Sequence, residues 1–220
     1  GGAAVSSMSS DASAAFSITV TDTGDVSTAN PATGTKQQTV GAGTEQRLTV
    51  TWAAEDPDGD ALLSSLEFRG EDETTWKVIK DRLDERSFVI DSQSLADGIY
   101  RFRVQVSDRK SNPADLALDA ERTSEPVLVD HTPPAVRLAG VDGLTRVRFE
   151  AEDAASILQS AEYSIDAGDW SPVYPEDGII DSRQETFAVT LRELAPGEHL
   201  VTLRVRDRAG NAGLAKAVVR

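Results

Sequence analysis

Residues 87–108 read SFVIDSQSLADGIYRFRVQVSD, and residues 186–207 read TFAVTLRELAPGEHLVTLRVRD. The two stretches align without a gap at an offset of 99: Phe88 meets Phe187, Leu95 meets Leu194, Gly98 meets Gly197, Val106 meets Val205 and Asp108 meets Asp207. Upstream, VTWAAED at 50–56 matches VRFEAED at 147–153. Between these blocks, SLEFRGEDETTW at 65–76 matches SAEYSIDAGDW at 160–170 with one residue fewer. Three matching blocks in the same order indicate two copies of one folding unit.

Each block has a period of two. Leu48, Val50, Trp52 and Ala54 fall on one face, with Arg47, Thr49 and Thr51 on the other. Val147, Phe149 and Ala151 alternate with Arg146, Arg148 and Glu150, and Tyr100, Phe102, Val104 and Val106 alternate with Arg101, Arg103 and Gln105. His199, Val201, Leu203 and Val205 repeat the pattern, Leu200 being the one apolar residue on the polar face. Such alternation describes strands with one buried side. A slip of one residue would bury the Arg rows, so the register is strongly fixed. The outward rows Arg101/Arg103, Arg146/Arg148 and Arg204/Arg206 are expected to pair with neighbouring carboxylates and to discourage edge-to-edge association.

Composition narrows the function. The chain has 220 residues, 37 acidic against 22 basic, and a net charge of −15. That balance argues against nucleic acid, whose phosphates require Lys and Arg, and against anionic lipid surfaces. No run reaches the roughly 18 apolar residues of a membrane span, so no membrane insertion is expected. Cysteine is absent, which excludes disulfides, zinc thiolates and cysteine nucleophiles. Two histidines leave little for histidine-based chemistry. No GxSxG elbow, P-loop or HExxH is present, and no cofactor is expected.

Turns and linkers set the domain plan. Ala96-Asp97-Gly98 and Ala195-Pro196-Gly197 place glycine where a tight turn favours positive φ. Asp58-Gly59 and the segment Asp207 to Asn211 read as further turns. Pro133-Pro134 cannot donate ladder hydrogen bonds and stiffens the chain. The expected plan is a flexible lead-in at 1–14 that belongs to a longer protein, a first sandwich at 15–131, and a second at 132–220. Within the first, a strand is expected near 16–21, with long loops at 23–46 and 109–124 and a last strand near 125–130.

The phrases WAAEDPDGDAL, LADGIYRFRVQVSD, SEPVLVDHTPP, AEYSIDAGDW, DGIIDSR and VRDRAGN together resemble fibronectin type III and related immunoglobulin-like modules. They are most similar to paired modules near the C-terminal end of large exported bacterial proteins, some of which carry an upstream β-propeller. The resemblance covers about residues 47–220. It implies an all-β protein of two tandem Greek-key β-sandwich domains, extracytoplasmic, with a non-catalytic spacer or protein-interaction role. Its partners would be other domains of the parent chain or another protein. It also implies that Tyr100 is the corner tyrosine that ties a turn between strands to the backbone; His199 stands at that position in the second copy.

Two groups of residues are candidates for a site. Asp56, Asp58 and Asp60 surround a glycine turn and could present oxygens to calcium, although the twelve-residue EF-hand loop is not completed. The plainer reading is a solvated turn, the second copy keeping Glu152-Asp153 and continuing Ala-Ala-Ser. Trp76 and Trp170 sit at matching hairpin positions and could stack on sugar rings; the plainer reading has each packing over the edge of its own core. These residues support the alternative of a carbohydrate-binding module, stabilised by calcium. His131 lies in the linker and has no serine or carboxylate partner by motif.

Overall fold

The structure is a computed structural model that describes residues 17–22, 38–40, 47–192 and 194–220. The expected lead-in at 1–14 lies outside the described residues, as do 23–37 and 41–46 of the first expected loop. The chain is all-β. In the first half the strands are β1 (Ser17–Asp22), β2 (Gln38–Val40), β3 (Arg47–Ala53), β4 (Leu63–Gly70), β5 (Lys77–Leu83), β6 (Ser87–Asp91), β7 (Gly98–Ser107), β8 (Asp119–Thr123) and β9 (Val127–Val129). In the second half they are β10 (Ala135–Asp142), β11 (Arg146–Glu152), β12 (Leu158–Ile165), β13 (Ser171–Pro172), β14 (Gln184–Thr190), β15 (His199–Asp207) and β16 (Ala212–Val219).

The second half shows the architecture most simply. One sheet has the order β10-β11-β14, the other β13-β12-β15-β16. The chain changes sheet between β11 and β12, returns between β13 and β14, and crosses again between β14 and β15, which is the Greek-key connection of a seven-stranded sandwich. The first half repeats it as β1-β3-β6 against β2-β9-β7-β4-β5. Each half has its own apolar cluster. Leu48, Val50, Trp52, Leu66, Phe102 and Val104 lie in the first, and Val147, Phe149, Phe187, Val201, Leu203 and Val205 in the second. Each large side chain buried this way contributes roughly 1.5–3 kcal/mol. The alternation expected from the sequence is the alternation found: β3 and β11 both bury every second residue.

The stretch expected as a loop at 109–124 ends in a strand. β8 pairs antiparallel with the C-terminal part of β7, while β9 pairs with its N-terminal part. The two run along the same side of β7 as one strand broken at Ser124. There Ser124 donates its N–H to the Phe102 carbonyl at 2.8 Å, and its hydroxyl accepts the Phe102 N–H at 3.0 Å. A hydroxyl acceptor thus replaces a ladder carbonyl just before Pro126, which has no N–H to give. The alternation of β8 is weak because it is mostly exposed, so no buried face marked it. In the expected loop at 23–46, Gln38–Val40 forms β2, parallel to β9.

Strand pairing also corrects one block of the internal alignment. Ser64 pairs with Val106 on β7, and Ala161 pairs with Val205 on β15. Since Val106 and Val205 correspond, Ser64 corresponds to Ala161, two residues away from the match read from the sequence. The shift makes physical sense. Trp52 corresponds to Phe149, and the buried Trp52 indole donates to Ser64 Oγ at 3.0 Å. The Phe149 ring has no donor, and the opposite residue is an alanine.

The corners close in both halves. The Tyr100 hydroxyl donates to the Ala96 carbonyl at 2.8 Å. His199 makes the equivalent bond, Nε2 to the Ala195 carbonyl at 2.8 Å, while Nδ1 lies 2.6 Å from Asp166 Oδ2. Both partners are acceptors, so both ring nitrogens must carry protons, and the imidazolium is the form that satisfies them. The Asp166 bond, followed by the Ala195 bond, holds the His199 pKa above its ordinary value. The stabilisation is therefore complete below the unfolded pKa of about 6.5 and is lost as pH rises through the raised folded value. Thermal melts of the second sandwich from weakly acidic to alkaline pH should fall across that window, and His199→Phe should flatten the dependence. A second expectation concerns Gly213 on β16. A Cβ there would lie 1.9 Å from the Pro134 carbonyl oxygen, so Gly213→Ala should cost about 2–3 kcal/mol in denaturant unfolding.

Candidate functional site: a buried carboxylate cluster at the linker

After β9 the chain runs through Asp130, His131, Thr132, Pro133 and Pro134 into β10. This linker is held from both sides. Asp97, in the turn before β7, accepts the His131 N–H at 2.8 Å and the Thr132 hydroxyl at 2.5 Å. His131 Nε2 lies 3.1 Å from the Ser92 carbonyl. On the other side, Asn211 Nδ2 donates to the Asp130 carbonyl at 3.0 Å, and the Ser156 hydroxyl donates to Asp130 Oδ2. The prolines stiffen the path, and side chains from both halves fix it.

The grip on the second half is built from three carboxylates. Asp130 comes from the linker, Asp153 from the turn after β11 and Asp207 from the end of β15. One oxygen from each lies within 4.8 Å of the other two, the one such group of three among the described residues. Relative exposures are 0% for Asp130, 5% for Asp153 and 0% for Asp207. Local turn chemistry explains why aspartates stand there. Asp153 Oδ1 accepts the N–H groups of Ala155 and Ser156 at 2.8 and 2.6 Å. Asp207 Oδ1 accepts the Asn211 N–H at 2.8 Å, and Oδ2 accepts Asn211 Nδ2 at 2.9 Å. Each side chain caps its own turn, as aspartate and asparagine readily do.

Those bonds leave a deficit. Among the described residues no Lys, Arg or His forms a salt bridge with any of the three. Asp153 Oδ2 and Asn211 Oδ1 are buried acceptors without a hydrogen-bond partner, and Asn211 is only 3% exposed. Burial pushes the Asp207 carboxyl up to about 6, with the negative charges of Asp130 and Asp153 adding to the rise. Burial likewise raises Asp130, against the Ser156 and Thr132 hydrogen bonds. Buried charge without a counter-charge is costly.

The residues singled out from the sequence are placed as follows. Asp56 Oδ1 accepts the N–H groups of Asp58 and Asp60 at 2.9 and 3.1 Å, a cap like that of Asp153 but reaching four residues on where Asp153 reaches three. Asp58 is exposed. Asp60 Oδ2 and Asp108 Oδ2 both accept from Asn112 Nδ2, at 2.7 and 2.9 Å. The first sandwich thus carries a relative of the linker cluster: Asp56 for Asp153, Asp108 for Asp207 and Asn112 for Asn211. Trp76 lies under Arg103, 4.5 Å from guanidinium carbon to ring centroid, and also near Arg69 at 5.0 Å. Trp170, 37% exposed, lies under Arg204 at 4.0 Å. Arg103 is tied to Glu67 and Arg204 to Glu162, both at 2.6 Å. Each indole therefore has a guanidinium on one face. Elsewhere in the Arg rows Arg101 meets Glu71 at 2.8 Å, and Arg146 and Arg148 share Glu176, whereas Arg206 forms no salt bridge among the described residues.

Asp130, Asp153, Asp207 and Asn211 were not read as a site from the sequence, because each is a plausible turn or linker residue on its own. The available signal was their recurrence: an Asp closing β3 and β11, and an Asp with an Asn four residues on closing β7 and β15.

The sequence matches no protein-family profile and no curated protein. Among solved structures, it is similar to the FN1–FN3 domains of chicken CNTN1, with 14% identity over 83% of this chain and a TM-score of 0.35. This chain spans 65% of that one's length. It is also similar to the chicken interferon gamma receptor alpha chain, at 10% identity over 85% of this chain and 96% of that one, with a TM-score of 0.33.

One prediction follows from the cluster alone. In metal-free buffer, the raised Asp207 pKa makes its contribution to stability fall as pH rises from about 4, the unfolded value, to about 6. The size is on the order of 2–3 kcal/mol. Urea unfolding of the second sandwich should show that decline, and Asp207→Asn should remove most of it.

Proposed function

We propose that this chain is a non-catalytic structural segment of a larger exported protein, whose work is to hold what lies on either side of it at a set distance and angle. The observation that carries the reading is the linker. Its backbone and side chains are bonded to Asp97 and Ser92 of the first sandwich and to Ser156 and Asn211 of the second. A flexible tether would not commit five polar contacts and a proline pair to a single path. Linked sandwiches whose relation is fixed act as a strut; sandwiches on a free linker act as separate modules.

The charge supports the same use. A net charge of −15 keeps such a strut soluble and discourages contact with anionic surfaces. The ion-paired Arg rows cover the outer faces of β7, β11 and β15. An arginine takes one face of Trp76 and of Trp170, which leaves less indole for a sugar ring, so the strut is the better-supported reading.

The test is the distribution of distances between spin labels placed on an exposed strand of each sandwich. The intact chain should give one narrow distribution. Asp97→Ala, which releases His131 and Thr132, should broaden it while each sandwich stays folded. A broad distribution in the unaltered chain would end the strut reading.

A further inference from the structure

We propose that Asp130, Asp153, Asp207 and Asn211 form a calcium site that clamps the linker onto the second sandwich. The argument begins with spacing. Calcium binds oxygen at about 2.3–2.6 Å, so two oxygens on one ion lie at most about 5 Å apart. One oxygen from each of the three aspartates already meets that limit, all lying within 4.8 Å of one another.

The second observation is independent of the acidic cluster. Asn211, 3% exposed, is anchored at the cluster by its Nδ2 bonds to Asp207 Oδ2 and to the Asp130 carbonyl. Its Oδ1 is left without any partner. Asp153 spends Oδ1 on two backbone N–H groups and leaves Oδ2 without a partner as well. Buried acceptors are almost always satisfied. Two unsatisfied ones, one on Asp153 itself and one on the asparagine bonded to Asp207 and Asp130, together with three carboxylates that lack a counter-charge, call for a hard cation, which needs acceptors only. Oxygen-only ligands exclude a preference for soft metals. Magnesium is disfavoured because it demands octahedral geometry and retains its waters, whereas this pocket is lined by turn-locked carboxylates.

The contrast with the first sandwich points the same way. There Asn112 bridges Asp60 and Asp108 through its amide N–H, and Asp56, Asp108 and Asn112 have no unsatisfied buried oxygen. A neutral donor does at one turn what the cation does at the other. The difference is the linker: Asp130 brings a third buried carboxylate to the second sandwich. Because Asp130 belongs to the linker, bound calcium ties the path between the sandwiches to the second one. In that consequence, though not in the binding itself, the proposal rests on the strut reading.

The experiment uses the full chain, stripped with a chelator, then titrated with calcium alone or magnesium alone by calorimetry and followed by thermal melting. Calcium is expected to bind at one ion per chain, with a dissociation constant of about a millimolar or tighter. At saturating calcium the melting transition of the second sandwich should rise by about 5 °C or more. Asp153→Asn keeps the Oδ1 acceptor and removes a buried charge. It should therefore melt no lower than the stripped parent, yet weaken calcium at least tenfold. Asp58→Ala, on the exposed turn of the first sandwich, should bind as the parent does. Absence of heat and of any melting shift at about 5 mM calcium would overturn the proposal. So would a shift that survives Asp153→Asn or one lost in Asp58→Ala, and equal affinity for magnesium would overturn the assignment to calcium. Spin-label distances separate the two readings: a narrow distribution without calcium binding sinks this proposal and leaves the strut standing, whereas calcium binding with a broad distribution does the reverse.

Discussion

Everything in this molecule depends on the burial of one face of each strand between two sheets. Leu48, Val50 and Trp52 on β3, and Val147, Phe149 and Ala151 on β11, are at or near zero exposure. Their neighbours in sequence are mostly polar or charged, Arg47, Thr49 and Thr51 on β3 and Arg146, Arg148 and Glu150 on β11. Because a strand presents alternate residues to opposite faces, the register that buries the first set necessarily exposes the second. That single constraint fixes which arginines meet which glutamates across β4–β7 and β12–β15, and it places Trp76 and Trp170 beneath guanidinium groups. The surface pattern is a consequence of the core pattern.

The ends of the sandwiches follow a different rule. There the chain must reverse or leave, and the backbone groups so freed are met by short polar side chains. Tyr100 and His199 tie equivalent turns with different chemistry, one through a neutral hydroxyl and one through an imidazolium that Asp166 supports. Asp56 and Asp153 cap the turns at matching places in the two halves, both through the N–H two residues on. What separates the two halves is the company these residues keep. In the first half an amide links two of the carboxylates. In the second the linker delivers Asp130 into a buried space already holding Asp153 and Asp207. The same turn residues that are ordinary in one sandwich become an electrostatic problem in the other.

That problem sits where a strut would need its strength. The junction is stiffened by Pro133 and Pro134, held by Asp97 on one side, and pressed against Gly213 on the other, where no side chain fits. A junction whose last contact is a charge cluster can be strengthened or loosened by whatever neutralises the charge.

The fold was legible in the sequence because its cause is local. Period-two alternation, glycine turns and a repeat at offset 99 are all properties of short stretches, and they dictated two sandwiches before any contact was known. The strand β8 escaped because an exposed edge strand buries no face and so leaves no alternation. The true counterpart of Ser64 escaped for a related reason: a hairpin of different length shifts the visible match, and only cross-strand pairing with Val106 and Val205 restores it. The carboxylate site was settled by tertiary structure alone. Asp130, Asp153 and Asp207 are spread over 78 residues, and each is an unremarkable turn or linker residue where it stands. Their charges interact only after the sheets close and exclude water, and burial is a property that no short stretch of sequence possesses.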